Sequence, residues 1–224
     1  MTTYVVRVWL PDRPGALGAV ASRIGAVRGD LVGIDILERG AGRAIDELVV
    51  ELPSDDLVPL LTAEMGQVDG VDVEDVRLAV AADHDQRLGA LEAAAVLVEQ
   101  LSLDGLFTEL CLHARQTFDA DWAVLVDLDG PCPMATAGSA PPAAWVAAFL
   151  HGASAAVVGA DGGPDDVAWA GLPTAHQALA VGRQGRPFRA RERRQLVALA
   201  RIADARRNEL GPGHAVPGRR RAGT

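Results

Sequence analysis

The chain has 224 residues, of which 49% are hydrophobic and 23% are charged, a composition typical of a folded globular protein rather than a disordered one. Its 21 basic residues are all arginine, which excludes enzyme classes that depend on a lysine, such as P-loop hydrolases, kinases and Schiff-base enzymes. The net charge of −9 disfavours nucleic acids and anionic membranes as partners, and two cysteines cannot form a disulfide framework. We therefore expect a cytoplasmic protein without a secretion signal.

One uncharged stretch, residues 130–160, is long enough to span a bilayer. Four prolines interrupt its first half, and a polar His-Gly-Ala-Ser segment at 151–154 divides the second. We interpret this stretch as a buried strand-helix-strand passage of a soluble domain, and we expect no membrane span.

The first 80 residues predict alternating strands and helices. Residues 4–10, Y-V-V-R-V-W-L, predict a strand, and residues 15–27 carry apolar side chains at helical spacing. Two further strands, joined at Gly40-Ala41-Gly42, form a predicted hairpin. A helix that starts at 54 or 55 and a strand over 71–78 complete the order β-α-β-β-α-β, which predicts an α+β fold of the ferredoxin-like class.

A predicted helix over residues 86–103 opens the second half. It places Leu88, Leu91, Ala95 and Val98 at steps of 3, 4 and 3, the spacing of a coiled-coil seam. The alternative is a helix that packs on its own domain, and the sequence leaves both open.

The rest of the second half predicts a mixture of helices and strands. The pattern favours helices over 104–118, 143–150 and 191–207, and strands over 122–128, 133–137, 157–158, 167–170 and 177–183. The Gly-, Pro- and Arg-rich residues after 210 cannot form a core, and we expect a disordered tail.

The segment Asp12-Arg13-Pro14-Gly15-Ala16-Leu17, together with Gly33-Ile34-Asp35-Ile36-Leu37, makes residues 4–79 resemble an ACT domain. The resemblance implies a ferredoxin-like domain that binds an amino acid or similar metabolite where this loop meets the second strand of a partner subunit. It implies these ligand-binding residues: Asp12, Arg13, Gly15, Ala16 and Leu17 in the loop, and Ile34, Asp35 and Ile36 in the strand.

One position departs from the ACT pattern, since many amino-acid-binding members have asparagine where this chain has Asp35. A carboxylate there suits an ammonium group but repels a ligand carboxylate placed too near. Asp12 is open to a second interpretation as a turn and capping residue without a ligand, and Asp35 to one as a solvent-facing residue.

Residues 87–209 resemble a small GAF domain, chiefly through Pro187-Phe188, Glu192 and the Ala- and Leu-rich helix that follows. This resemblance implies a sensory fold with a ligand pocket on one face of its sheet. The N-K-F-D-E pattern of cyclic-nucleotide-binding members is absent from the sequence.

We predict no catalytic residue, no metal site and no cofactor. Cys111 lies in the apolar stripe of its helix, and Cys132 has no basic neighbour that would activate it. His84, between Asp83 and Asp85, is typical of a polar linker, since adjacent residues rarely converge on one metal ion.

Together these patterns predict an ACT domain over 1–80, a linker over 81–87, a GAF-like domain over 88–210 and a tail over 211–224. The favoured function is a non-catalytic regulatory protein that binds a small metabolite, preferably an amino acid, and signals through its GAF-like domain to a downstream protein partner. We expect a homodimer. The alternatives are a dimerisation module without a ligand and an enzyme with its pocket in residues 87–209.

Overall fold

The computed structural model describes residues 1–79, 86–130, 132–156 and 165–211. Contacts divide the chain into a first unit, Met1–Gly89 with Arg189–Glu192, and a second unit, Ala90–Phe188 with Arg193–Thr224. Most of the predicted linker with His84, the predicted strand at 157–158 and the tail from residue 212 lie outside the described residues.

The first unit is an antiparallel sheet with two helices. Its strands lie in the order β2-β3-β1-β4, so the strand that opens the chain is central. This arrangement confirms the predicted ferredoxin-like α+β fold. The elements are β1 (Thr2–Pro11), α1 (Ala16–Ala26), β2 (Asp30–Gly40), β3 (Arg43–Leu52), α2 (Val58–Met65) and β4 (Asp72–Leu78).

The second predicted helix starts later than the sequence suggests. Ser54 accepts a hydrogen bond from the Asp56 amide, as a cap does, but the residues that follow it, Asp55–Leu57, form a 3₁₀ turn. Only from Val58 do the hydrogen bonds become α-helical, with Pro59 in the first turn, where its missing amide hydrogen costs nothing.

One face of the first sheet forms an apolar core with both helices. Val6 and Val8 of β1 pack in one cluster with Val20 and Ile24 of α1 and Leu61 of α2. All five side chains are fully buried, and each contributes about 1.5–3 kcal/mol of burial free energy. This core holds α1 against the sheet and so fixes the turn that precedes it.

The opposite face of the same sheet carries a buried ion pair. Arg7, 1% exposed, lies directly opposite Glu47 on β3, and its Nε and Nη2 donate to Glu47 Oε1 at 3.1 and 2.8 Å. Its Nη2 also lies 3.4 Å from Glu192 Oε1. Burial works to lower the pKa of Arg7, but the charges of Glu47 and Glu192 outweigh it and raise that pKa, so the guanidinium stays charged.

The second unit contains the other antiparallel sheet, in the order β6-β5-β8-β7. An antiparallel α+β unit is therefore confirmed, while membership of the GAF family stays a prediction. The remaining elements of the chain are α3 (Gln86–Glu99), α4 (Leu103–Thr117), β5 (Trp122–Asp127), β6 (Pro133–Gly138), α5 (Ala143–Ala156), β7 (Val167–Leu172), β8 (Gln177–Gly182) and α6 (Ala190–Leu210).

Both faces of this sheet are covered by apolar side chains. One large cluster joins α3, α4 and α6 to one face, and a smaller cluster joins Val146 and Leu150 of α5 to the other. Cys111 is fully buried in the large cluster, and burial raises the pKa of its thiol to about 12, whereas Cys132 is exposed. Among the described residues, no helix is long and apolar enough to cross a bilayer.

The helix α3 follows one of the two alternatives that its sequence leaves open, packing on its own unit, while the coiled-coil seam stays a prediction. Ala93 and Leu97 are buried in the large apolar cluster, so the helix packs on its own unit. The predicted seam lies on another side of the helix, where Leu91 is 69% and Val98 50% exposed.

The buried ion pair of Arg7 yields a prediction for stability. Glu47→Ala should lower the free energy of unfolding by about 3 kcal/mol or more, because it leaves a buried guanidinium with its main partner missing. As a control, Asp72→Ala removes the exposed pair with Arg43 and should cost at most about 1 kcal/mol. Urea denaturation of both variants measures the difference, and equal losses would contradict the prediction.

Candidate functional site

The turn between β1 and α1 contains the predicted ligand-binding loop. The Asp12 amide donates to Gly42 O at 2.9 Å, which ties the turn to the β2–β3 hairpin, and the Arg13 amide donates to Pro11 O at 2.8 Å. Gly15 has a φ of +87°, a left-handed backbone that favours glycine. The turn therefore depends on Gly15 for its shape.

The amino end of α1 is left without a side-chain cap. The residue at the N-cap position is Gly15, which has no side chain to cap with, and the first turn contains no acidic residue. The Ala19 amide makes the first helical bond, to Gly15 O at 3.0 Å, while the amides of Leu17 and Gly18 have no acceptor among the described residues. Uncapped amides and the helix dipole together attract an anionic group.

A buried carboxylate lies at the same end of the sheet. Asp46 on β3 is 3% exposed and lies opposite Val8 and Ile36, on the face that carries the helices. Its Oδ1 has no hydrogen-bond partner among the described residues. Burial raises the pKa of Asp46; the charge of Arg39 opposes this rise, and the negative charge of Asp12 adds to it. The partner of Asp46 on β1, Val8, lies three residues before the end of that strand, which places Asp46 near the turn.

This arrangement can bind a molecule with both charges. The amino end of α1 suits a carboxylate, and the carboxylates of Asp46 and Asp12 suit an ammonium group. A cation near Asp46 would also offset part of the free-energy cost of burying its carboxylate. The site thus favours a small zwitterion.

The other predicted loop residues have different environments. Arg13 is exposed, with Nη2 3.9 Å from Asp69 Oδ2, while Ala16 is buried in the core and Leu17 is half-buried. Of these residues, the backbone of Leu17 and the exposed side chain of Arg13 are the parts that a ligand could contact.

The three predicted strand residues do not share one face of the sheet. Ile34 and Ile36, 45% and 38% exposed, lie opposite Leu48 and Asp46 on the helix-bearing face of the edge strand β2. Asp35 lies opposite Glu47 on the other face, where its carboxylate pairs with the guanidinium of Arg191. Neighbouring residues of a strand point to opposite faces, which explains the separation.

Asp46 is the site residue that the sequence reasoning missed. The signal was present in the strand A-I-D-E-L-V-V-E-L, where Asp46 and Glu47 are adjacent and therefore face opposite sides of the sheet. If that strand is central, one acid must be buried against the helices. The described residues contain no group of three or more His, Cys, Asp or Glu side chains that could hold a metal ion.

No protein-family model matches this chain. No curated protein matches it either. Among solved structures, the chain is similar to an unknown protein from Galdieria sulphuraria, at 17% identity and a TM-score of 0.31 over 43% of this chain and 62% of that one.

Two further solved structures are similar to parts of the chain. One is the ACT domain from the GTP pyrophosphokinase of Chlorobium tepidum, at 17% identity and a TM-score of 0.29 over 35% of this chain and 97% of that domain. The other is a formyltetrahydrofolate deformylase from Pseudomonas putida KT2440, at 16% identity and a TM-score of 0.28 over 40% of this chain and 36% of the deformylase.

The buried carboxylate gives a prediction for pH dependence. Because the pKa of Asp46 is higher in the folded protein than its ordinary value of 3.8, the unfolded chain loses this proton first as the pH rises. Stability therefore falls as the pH rises from the ordinary pKa to the higher pKa of the folded state, and above that pKa the loss stays constant. Asp46→Asn should remove that loss, so the variant should have a higher Tm than the wild type at pH 7 and nearly the same Tm near pH 3.5.

Thermal denaturation between pH 3.5 and 8 measures this difference. Asp30→Asn, which removes one exposed charge at the far end of β2, serves as the control for the loss of a carboxylate. A difference between Asp46→Asn and the wild type that is the same at every pH would contradict the prediction.

Proposed function

We propose that the first unit binds a free amino acid at the turn between β1 and α1, and that the protein is a non-catalytic, cytoplasmic regulator. The observation that carries the proposal is the uncapped amino end of α1 together with the buried carboxylate of Asp46, whose Oδ1 has no hydrogen-bond partner among the described residues. An α-amino acid carries the two opposite charges that these features require.

The ligand carboxylate binds at the helix. The amides of Leu17 and Gly18 donate to it, and Gly15 leaves open space in front of them, since a Cβ at that position would meet no atom within 4 Å. A carboxylate at a helix amino end is stabilised by typically about 0.3–1 kcal/mol from the helix dipole, in addition to its hydrogen bonds.

The ligand ammonium group binds near the carboxylates of Asp12 and Asp46. Asp12 supplies an exposed carboxylate that the ammonium group can contact, and Asp46 supplies a second negative charge that is buried. Water screens the attraction of a buried charge less than that of a charge at the surface. The ACT-like motif Asp-Arg-Pro-Gly-Ala-Leu supports the same location for the ligand.

The proposed binding site includes a second copy of the chain, which pairs with the first along β2. The edge strand β2 has no neighbour on its outer side in the first sheet, and it exposes an apolar row made of Val32, Ile34 and Ile36. Such a row on an edge strand is a favourable surface for pairing with another copy. In the arrangement that ACT domains imply, this pairing brings the second strand of one copy to the loop of the other.

The same apolar row supports the second candidate function, a dimerisation module without a ligand. The buried Asp46 favours the first candidate, because a module that only assembles has no need of a buried carboxylate oxygen without a hydrogen-bond partner. We further propose that ligand binding is signalled through the second unit to a downstream protein partner. The pair between Asp35 on β2 and Arg191 offers a starting point, because the chain enters the second unit just after Glu192.

The amino-acid site can be tested by thermal shift. At a concentration of 100 Kd, a ligand stabilises the native state by ~2.7 kcal/mol, so one or a few of the twenty amino acids should raise the Tm of the wild type. Asp12→Ala should remove this shift, and Asp30→Asn should retain it. If none of the amino acids raises the Tm at millimolar concentration, the dimerisation module becomes the better account.

The proposed dimer can be tested by analytical ultracentrifugation. Ile34→Glu places a charge in the middle of the apolar row on β2 and should shift the protein from dimer to monomer. As a control, Val98→Glu places the same charge on the exposed side of α3 and should leave the dimer intact. If Val98→Glu sediments as a monomer and Ile34→Glu as a dimer, the interface lies on α3. A wild-type protein that sediments as a monomer would refute the dimer.

A further inference from the structure

The second unit contains a cavity that the proposed amino-acid site does not involve. Its volume is about 220 Å³, it lies on the side of the sheet that faces α5, and it is open to solvent, since the lining residues His151, Gly171, Pro173 and His176 are exposed. An engineered cavity of ~150 Å³ is large enough to bind benzene, so this one has room for a single small ring. Most of its wall is apolar, with Leu128, Leu150, Trp169, Pro173 and Ala178 among the lining residues.

Two histidines also line the cavity, and each has one ring nitrogen already bound. His151 Nδ1 lies 2.7 Å from Ala147 O, and His176 Nδ1 lies 2.8 Å from Asp129 Oδ1. A carbonyl or carboxylate oxygen can only accept, so Nδ1 carries the proton in both rings. In the neutral ring, Nε2 is then an acceptor that is available to a ligand hydroxyl or N–H group.

A glycine provides part of the free space. Gly171 lines the cavity from the interior of β7, where glycine weakens a strand and often marks a close approach by another group. A Cβ built at Gly171 would meet no heavy atom within 4 Å. The strand therefore tolerates a side chain here on steric grounds, and the glycine leaves volume that a ligand can use.

We propose that the cavity binds a small, uncharged, ring-shaped molecule with a single hydroxyl or N–H group, of the size of phenol or indole. The ring contacts Trp169 and the leucines, and its hydroxyl or N–H donates to Nε2 of His151 or His176. The carboxylate of Asp129, held at His176, disfavours an anionic ligand. This second ligand site is independent of the amino-acid site of the first unit.

Titration of the full chain with phenol, followed by two-dimensional NMR of its amide and indole N–H groups, tests the site. Resonances of Gly171, Ala178 and the Trp169 indole should shift with saturation. Gly171→Val should weaken binding at least about tenfold, since the new side chain and the ligand compete for one volume. Gly40→Val, at a strand glycine of the first unit that also has open space around it, should bind phenol as the wild type does.

The role of the histidines has its own test. The double variant His151→Ala, His176→Gly removes both rings, and glycine suits the φ of +52° at residue 176. It should bind phenol several-fold more weakly but benzene, which has no donor, as tightly as the wild type. An equal loss of affinity for phenol and benzene, or no loss of affinity for phenol, would refute the hydrogen bond. Absence of saturable shifts with phenol and indole, or wild-type binding by folded Gly171→Val, would refute the site itself.

Discussion

The ion pair between Arg7 and Glu47 constrains the whole first unit. It joins the two central strands of the sheet, on a face where both side chains are buried. Side chains alternate along a strand, so a slip of one residue between β1 and β3 would place a guanidinium among the valines that pack on α1 and α2. The pair therefore specifies the register of β3 against β1, in addition to whatever net stability it contributes.

The buried carboxylate of the candidate site follows from this register. With Glu47 opposite Arg7, its neighbour Asp46 must lie opposite Val8, on the helix-bearing face. Burial there raises the pKa of Asp46 and costs stability, which the surrounding apolar core offsets. Groups that are kept at such a cost are concentrated at binding sites, where a ligand relieves it. Glu47, which pairs with Arg7, and Asp46 of the candidate site are thus adjacent residues that lie on opposite faces of the sheet.

The two units differ in the chemistry that they offer. In the first unit, the candidate site combines a helix amino end with acidic side chains, which suits a charged metabolite. In the second unit, the cavity is apolar except for two histidines, which suits an uncharged ring. The two candidate sites therefore differ in the chemistry of the ligand that each would bind.

Periodicity in the sequence by itself determined the element order of the first unit and, over the described residues, of the second, because helical and strand spacing are local properties of the chain. It also determined the β1–α1 turn, since Gly15 supplies a left-handed backbone that few other residues adopt. The tertiary structure decided which acidic side chains are buried and which are paired. It buried Asp46 on one face of the sheet and paired Asp35 with Arg191 on the other. It also decided that Gly171 borders a cavity. Burial depends on which element covers each face, and spacing along one strand does not specify that.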